Sequence, residues 1–159
     1  MSYDLDPIDI VENLAEERLW NFDRVAEDQI AMAYKGLWRE YSITIAWNAY
    51  DQTLRLVCTF ELEPPPDRTP ALYEILNLVN DMCWSGAFTW WEGQNVMVYR
   101  SGLNLAGDTT ATPEQVDVML EAAVLYSERF FPAFELAMWG TKTSKEALGI
   151  AIAEAYGTA

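Results

Sequence analysis

The chain has 159 residues, with ten Lys and Arg against 25 Asp and Glu and no His, giving a formal charge of −15 at pH 7. That charge repels phosphate backbones and anionic lipid, and the cations form no basic stripe, so direct nucleic-acid binding is disfavoured; solubility, or a basic partner, is favoured. Without His the commonest general base, metal ligand and triad member are gone, and most familiar hydrolase mechanisms go with them.

At 18.1 kDa, with 51% hydrophobic and 13% aromatic residues, the chain can offset its ordering entropy and reads as a single domain over residues 1–159. Its uncharged stretches, such as Tyr41–Tyr50, are far shorter than the roughly 18 apolar residues of a spanning helix. The acidic start MSYDLDPID lacks a basic n-region and an apolar h-region, so a cytoplasmic protein away from membranes is expected. Cys58 and Cys83 are 25 residues apart in apolar patterns and read as reduced structural thiols rather than a zinc or redox pair.

Asp6-Pro7 announces a helix over about 7–19 with Ile8, Val11, Leu14, Ala15 and Leu19 on its buried stripe and Glu12, Glu16 and Glu17 facing water. The period then switches to two. Tyr41, Ile43, Ile45 and Trp47 make one strand face, and Leu54, Leu56, Cys58, Phe60 and Leu62 the next, with residues 50–53 as their turn. Gln29–Tyr34 reads as the preceding strand, and Phe22–Val25 as a short one before it. Pro64-Pro65-Pro66 stops sheet pairing and serves as a stiff connector.

Thr69-Pro70 opens a second helix running to about Trp84, with Leu72, Ile75, Leu76, Val79, Met82 and Cys83 as its stripe. Ser85-Gly86 breaks it. A hairpin follows, Ala87–Trp91 and Asn95–Leu103 around Glu92-Gly93-Gln94, with apolar bulk on both faces, as if covered twice or covered by a second chain. Thr112-Pro113-Glu114-Gln115 is a capping box that starts a long third helix. Val116, Leu120, Ala123, Ser127, Phe130, Phe131 and Phe134 form its buried stripe; Glu114, Asp117, Glu121 and Glu128 face water; Pro132 is expected to kink or end it. A last helix starts at Thr143-Ser144-Lys145-Glu146 and stops at Gly157. The fold class is therefore α+β, a twisted antiparallel sheet of five to six strands with helices mainly on one face.

This element order resembles the type III secretion chaperone-like architecture. More specifically, the runs Tyr41 to Trp47 and Leu54 to Phe60, Leu72-Tyr73 with Leu76 and Asn80, and Trp84-Ser85-Gly86-Ala87-Phe88 resemble the YbjN family. So do Val98-Tyr99-Arg100, Arg129-Phe130-Phe131-Pro132-Ala133-Phe134, Trp139-Gly140, Glu146-Ala147-Leu148 and Glu154-Ala155-Tyr156-Gly157-Thr158-Ala159. The resemblance implies a bacterial sensory transduction regulator, a non-catalytic role and a dimeric chaperone-like assembly. It supplies no catalytic motif.

The residues agree with a non-enzyme. Ser42, Ser101 and Ser127 have no His, and no G-x-S-x-G, P-loop or G-x-G-x-x-G occurs. No catalytic residue, cofactor or metal is expected. Trp47, Trp90, Trp91, Tyr99 and Arg100 are the candidate partner-binding residues, because aromatics and Arg dominate protein-binding hot spots; core or dimer packing is the competing role, and for Arg100 a salt bridge to a helix carboxylate. The expected function is a protein-binding module, chaperone-like or regulatory, that forms a homodimer and takes a protein or peptide partner. The alternative is a small-ligand sensor with a cavity between the sheet and the long helix.

Overall fold

Strand alternation in the first half of the chain and helical stripes in the second resolve into two layers. The structure is a computed structural model describing residues 6–157; the acidic start at residues 1–5 and the terminal Thr158-Ala159 lie outside the described residues. One antiparallel sheet contains β1 (Phe22–Ala26), β2 (Gln29–Lys35), β3 (Glu40–Asn48), β4 (Thr53–Glu61), β5 (Ala87–Trp91) and β6 (Val96–Asn104), in the order β1-β2-β3-β4-β6-β5. Helices α1 (Pro7–Glu17), α2 (Thr69–Asn80), α3 (Pro113–Trp139) and α4 (Ser144–Gly157) form the second layer on one face.

Register explains the core. Met32, Ile43, Cys58, Tyr99 and Phe88 line up across five strands, and Tyr34–Tyr41 and Phe60–Met97–Trp90 line up beside them. α3 crosses this face with the predicted stripe, all seven residues buried. Its rings meet those of the sheet edge to face: Phe60–Phe131 at 5.6 Å, Phe88–Phe134 at 5.3 Å. Ser127, the polar member of the stripe, faces Cys58 with Oγ and Sγ 3.6 Å apart.

The caps read from the sequence are present. Asp6 accepts from the Ile8 N–H; Thr112 and Gln115, and Thr143 and Glu146, form reciprocal capping boxes. α2 differs: a short 3-10 turn, Pro66–Arg68, precedes it, Arg68 rather than Thr69 is the N-cap, and the helix ends at Asn80, short of Trp84. Leu19 is also corrected. α1 stops at Glu17, and Leu19 adopts a φ of 59° and stands 90% exposed.

Pro132 neither ends α3 nor separates it into two helices. Its missing N–H and its ring cost a helix interior roughly 3 kcal/mol. Phe130, Phe131, Ala133, Phe134, Ala137 and Met138 are all buried around it, and each large side chain removed from water returns about 1.5–3 kcal/mol.

β5 is an edge strand, and α2 closes part of that edge. The Asn80 side chain donates to the Phe88 carbonyl at 3.0 Å and accepts from the Phe88 N–H at 2.7 Å, standing in for a neighbouring strand. Asn80→Ala leaves both backbone groups without partners in a partly buried place. A loss of about 1–3 kcal/mol in urea unfolding is expected, with far-UV circular dichroism unchanged before the transition.

Candidate functional site

The five predicted partner-binding residues divide between the two faces of the sheet. Tyr99 is fully buried on the helix side, where its ring lies 5.8 Å from Tyr126; Trp47 and Trp90 pack half-buried against the same core. Trp91 and Arg100 point to the other face, which no helix among the described residues covers. Arg100 therefore stands away from the helix carboxylates expected to pair with it, and it is exposed. Adjacent strand residues point opposite ways, so no arrangement of this sheet brings all five together.

The uncovered face carries little charge. Register assigns it six charged residues, Asp23, Lys35, Glu40, Arg55, Glu61 and Arg100, three of each sign. The whole of the −15 therefore lies elsewhere on the chain. Between those six lie small or β-branched residues, Ala31, Ser42, Thr44, Val57, Thr59 and Thr89 among them, and Val98 is fully buried between its cross-strand partners Thr59 and Thr89. A shallow depression of about 330 Å³ runs over β1, β2 and β3 beside Ala31, Ala33, Ser42 and Thr44.

On the helix side, rings fill the space between α3 and the central strands, and the clefts lie at its margin. Arg18, just past α1, pairs with Asp117 and Glu121 of α3 and lies over the Trp20 ring at 5.6 Å. Two turns further along α3, Glu128 departs from its predicted place in water. Its Oε2 accepts from the Leu37 N–H at 3.0 Å, fastening the β2–β3 turn to the helix. Oε1 is buried beside Gly36 and Tyr41, where a Cβ on residue 36 would stand 1.9 Å from Oε1 and 2.6 Å from the Tyr41 ring. Neither Oε1 nor the Tyr41 hydroxyl makes a hydrogen bond of standard geometry, yet the carboxylate is close enough to raise the phenol's pKa, after burial itself, by hydrogen bonding and charge.

Clefts of about 410 and 490 Å³ flank this point. Trp20, Tyr34 and Val124 wall the first; Leu37, Trp38, Pro132 and Ala151 wall the second; Leu125 and Glu128 belong to both. Sequence patterning does not reveal them, because their walls come from the α1–β1 link, the β2–β3 turn, α3 and α4. The legible signal was an apolar residue, Leu125, outside the α3 stripe. Among the described residues, no three or more His, Cys, Asp or Glu side chains converge to hold a metal ion, and no helix is long and apolar enough to cross a membrane.

This geometry defines a class: an α+β protein of two layers, with helices on one face of a six-stranded antiparallel sheet and the other face bare. Within it, the chain belongs to the YbjN family, described as "putative bacterial sensory transduction regulator", whose model matches residues 7–136. Four chains among the solved structures are similar to it. One is the crystal structure of YbjN from E. coli, described as "a putative transcription regulator"; it is 14% identical, with a TM-score of 0.51 over 95% of this chain and 92% of that one. At that identity the likeness carries the fold. No curated protein matches.

Four protonated groups lie in or against the core. Burial pushes the Cys58 and Cys83 thiols up to about 11, and raises the Tyr41 and Tyr99 phenols. Both cysteines are free. The unfolded chain loses these protons first, so above pH 9.0, the ordinary thiol value, it binds fewer protons than the folded chain and stability must fall. Urea midpoints are expected to be level below about pH 8 and to decline from about 9 to 11, and Tyr41→Phe should flatten the upper part of that decline. A midpoint independent of alkaline pH contradicts the burial of these groups.

Proposed function

We propose that this chain is a non-catalytic regulatory module that works by binding protein, first of all a second copy of itself, through the uncovered face of the sheet. The observation that supports this reading is the neutrality of that face on a molecule of charge −15. Two copies brought face to face oppose three cations and three carboxylates to the same set, so a two-fold pairing has no net repulsion to overcome at contact. Repulsion between the acids of the two helix layers acts across the thickness of the molecule and is screened beyond about 8 Å in physiological salt.

A stable interface needs roughly 800 Å² from each partner, which a six-stranded sheet can supply. Trp91 and Arg100 are of the residue types that anchor such interfaces, and Val57 and Thr59 form the middle of the patch. The family's description as a sensory transduction regulator fits a role exercised by contact rather than turnover. The chaperone-like comparison drawn from the sequence belongs to the same reading, with a polypeptide partner in addition to the second copy.

Light scattering at micromolar concentration tests the pairing. The expected mass is twice 18.1 kDa, held or strengthened as salt rises. Thr59→Glu, which puts a charge at the middle of the face on a half-buried position, should return the mass to that of one chain with an unchanged circular dichroism spectrum. A monomer throughout that range in the unaltered protein overturns the sheet-face reading.

A further inference from the structure

We infer that the margin of α3 is a docking groove for a basic amphipathic helix of a partner protein. The inference rests on the reading of the chain as a protein-binding module, but not on the pairing of its sheet. The two clefts lie on either side of Leu125. One touches α3 at residues 121, 124, 125 and 128, and the other at 125, 128, 129 and 132, a displacement of four residues or about 6 Å along the helix. That is the spacing of side chains i and i+4 on a docked helix, so two successive apolar anchors can enter the two clefts. Leu125, Leu37 and Trp38 stand 52%, 82% and 49% exposed around them, an apolar surface larger than single scattered residues.

Charge selects the occupant. Because the bare sheet face is neutral, the acidity of the molecule lies on its helices, turns and ends. On α3, Asp117, Glu121 and Glu128 stand beside the clefts against two cations, Arg18, which Asp117 and Glu121 hold between them, and Arg129, which lies over Tyr126 at 6.0 Å, so this part of the rim carries a net negative charge. Lys and Arg flanking the apolar stripe of an incoming helix complement this rim and are drawn to it over distance. The helices of a second copy suit this rim less well: α1 and α2 contain no Lys or Arg, and α3 and α4 carry one each, Arg129 and Lys145.

The probe is a synthetic helix of about 14 residues, four turns, with Leu at i, i+3, i+4 and i+7 and Lys elsewhere, titrated calorimetrically into the full chain at about 0.15 M salt. The same peptide with Glu for Lys is the control. The Lys peptide should bind and the Glu peptide should not. Leu125→Asp should weaken binding at least tenfold, whereas Trp84→Asp, at a still more exposed apolar side chain outside the groove, should leave it unchanged. Methyl resonances of Leu37 and Leu125 should shift in the unaltered chain, which locates the peptide even where a variant folds poorly. Equal binding of both peptides, indifference to Leu125→Asp, or equal loss with Trp84→Asp overturns the proposal. So does an alkylammonium of similar chain length binding there as tightly as the peptide, which would make the groove a small-ligand site. The scattering mass of the unaltered chain separates the two readings: a dimer that binds no peptide removes the groove alone, and a monomer that binds peptide removes the sheet pairing alone.

Discussion

The contact between the Phe60, Phe88 and Tyr99 rings of the sheet and the Tyr126, Phe130, Phe131 and Phe134 rings of α3 sets the position of everything else. These rings hold a 27-residue helix across β4 and β6, and it is long enough for α1, α2 and α4 all to rest on it. Tertiary burial on that scale outweighs local preference, which is why a proline in the middle of α3 is carried without a break. The helix layer uses only one face of the sheet. Its length also carries the outer edge of α3 beyond the core, where Leu125 and Glu128 meet the β2–β3 turn.

Much of this was legible in the residues. The seven α3 residues read as its stripe are buried because 3.6-residue spacing selects one face whatever lies against it, although Met119, Ala133, Ala137 and Met138 join them, and the inner faces of β3 and β4 followed from strict alternation. Caps were legible at Asp6, Thr112 and Thr143, where the capping side chain and its target are three residues apart or fewer. Two of the errors depend on groups outside the element concerned: Glu128 on the Leu37 N–H of the β2–β3 turn, and the end of α2 on the bracket that Asn80 makes to Phe88.

The candidate site was harder to read than the fold for the same reason. Trp47, Trp90, Trp91, Tyr99 and Arg100 are close in sequence pattern, yet the parity that identified the strands also separates these residues into two faces. The neutrality of the bare face emerges only when six strands are laid in register and their outward charges read together. The clefts beside α3 need four segments, contributed from residue 18 to residue 155.

The Asn80 bracket on Phe88 bears on what kind of assembly this sheet can enter. A sheet grows without limit when a free edge accepts another strand, because each addition creates a new free edge. Here the β5 edge is occupied by a side chain, and the opposite edge is a five-residue strand whose register slips between Arg24 and Ala26. Strand-by-strand extension has no regular edge to start from at either end. Association through the flat of the sheet is of the other kind: it consumes the surface that makes it, and it stops at a finite complex.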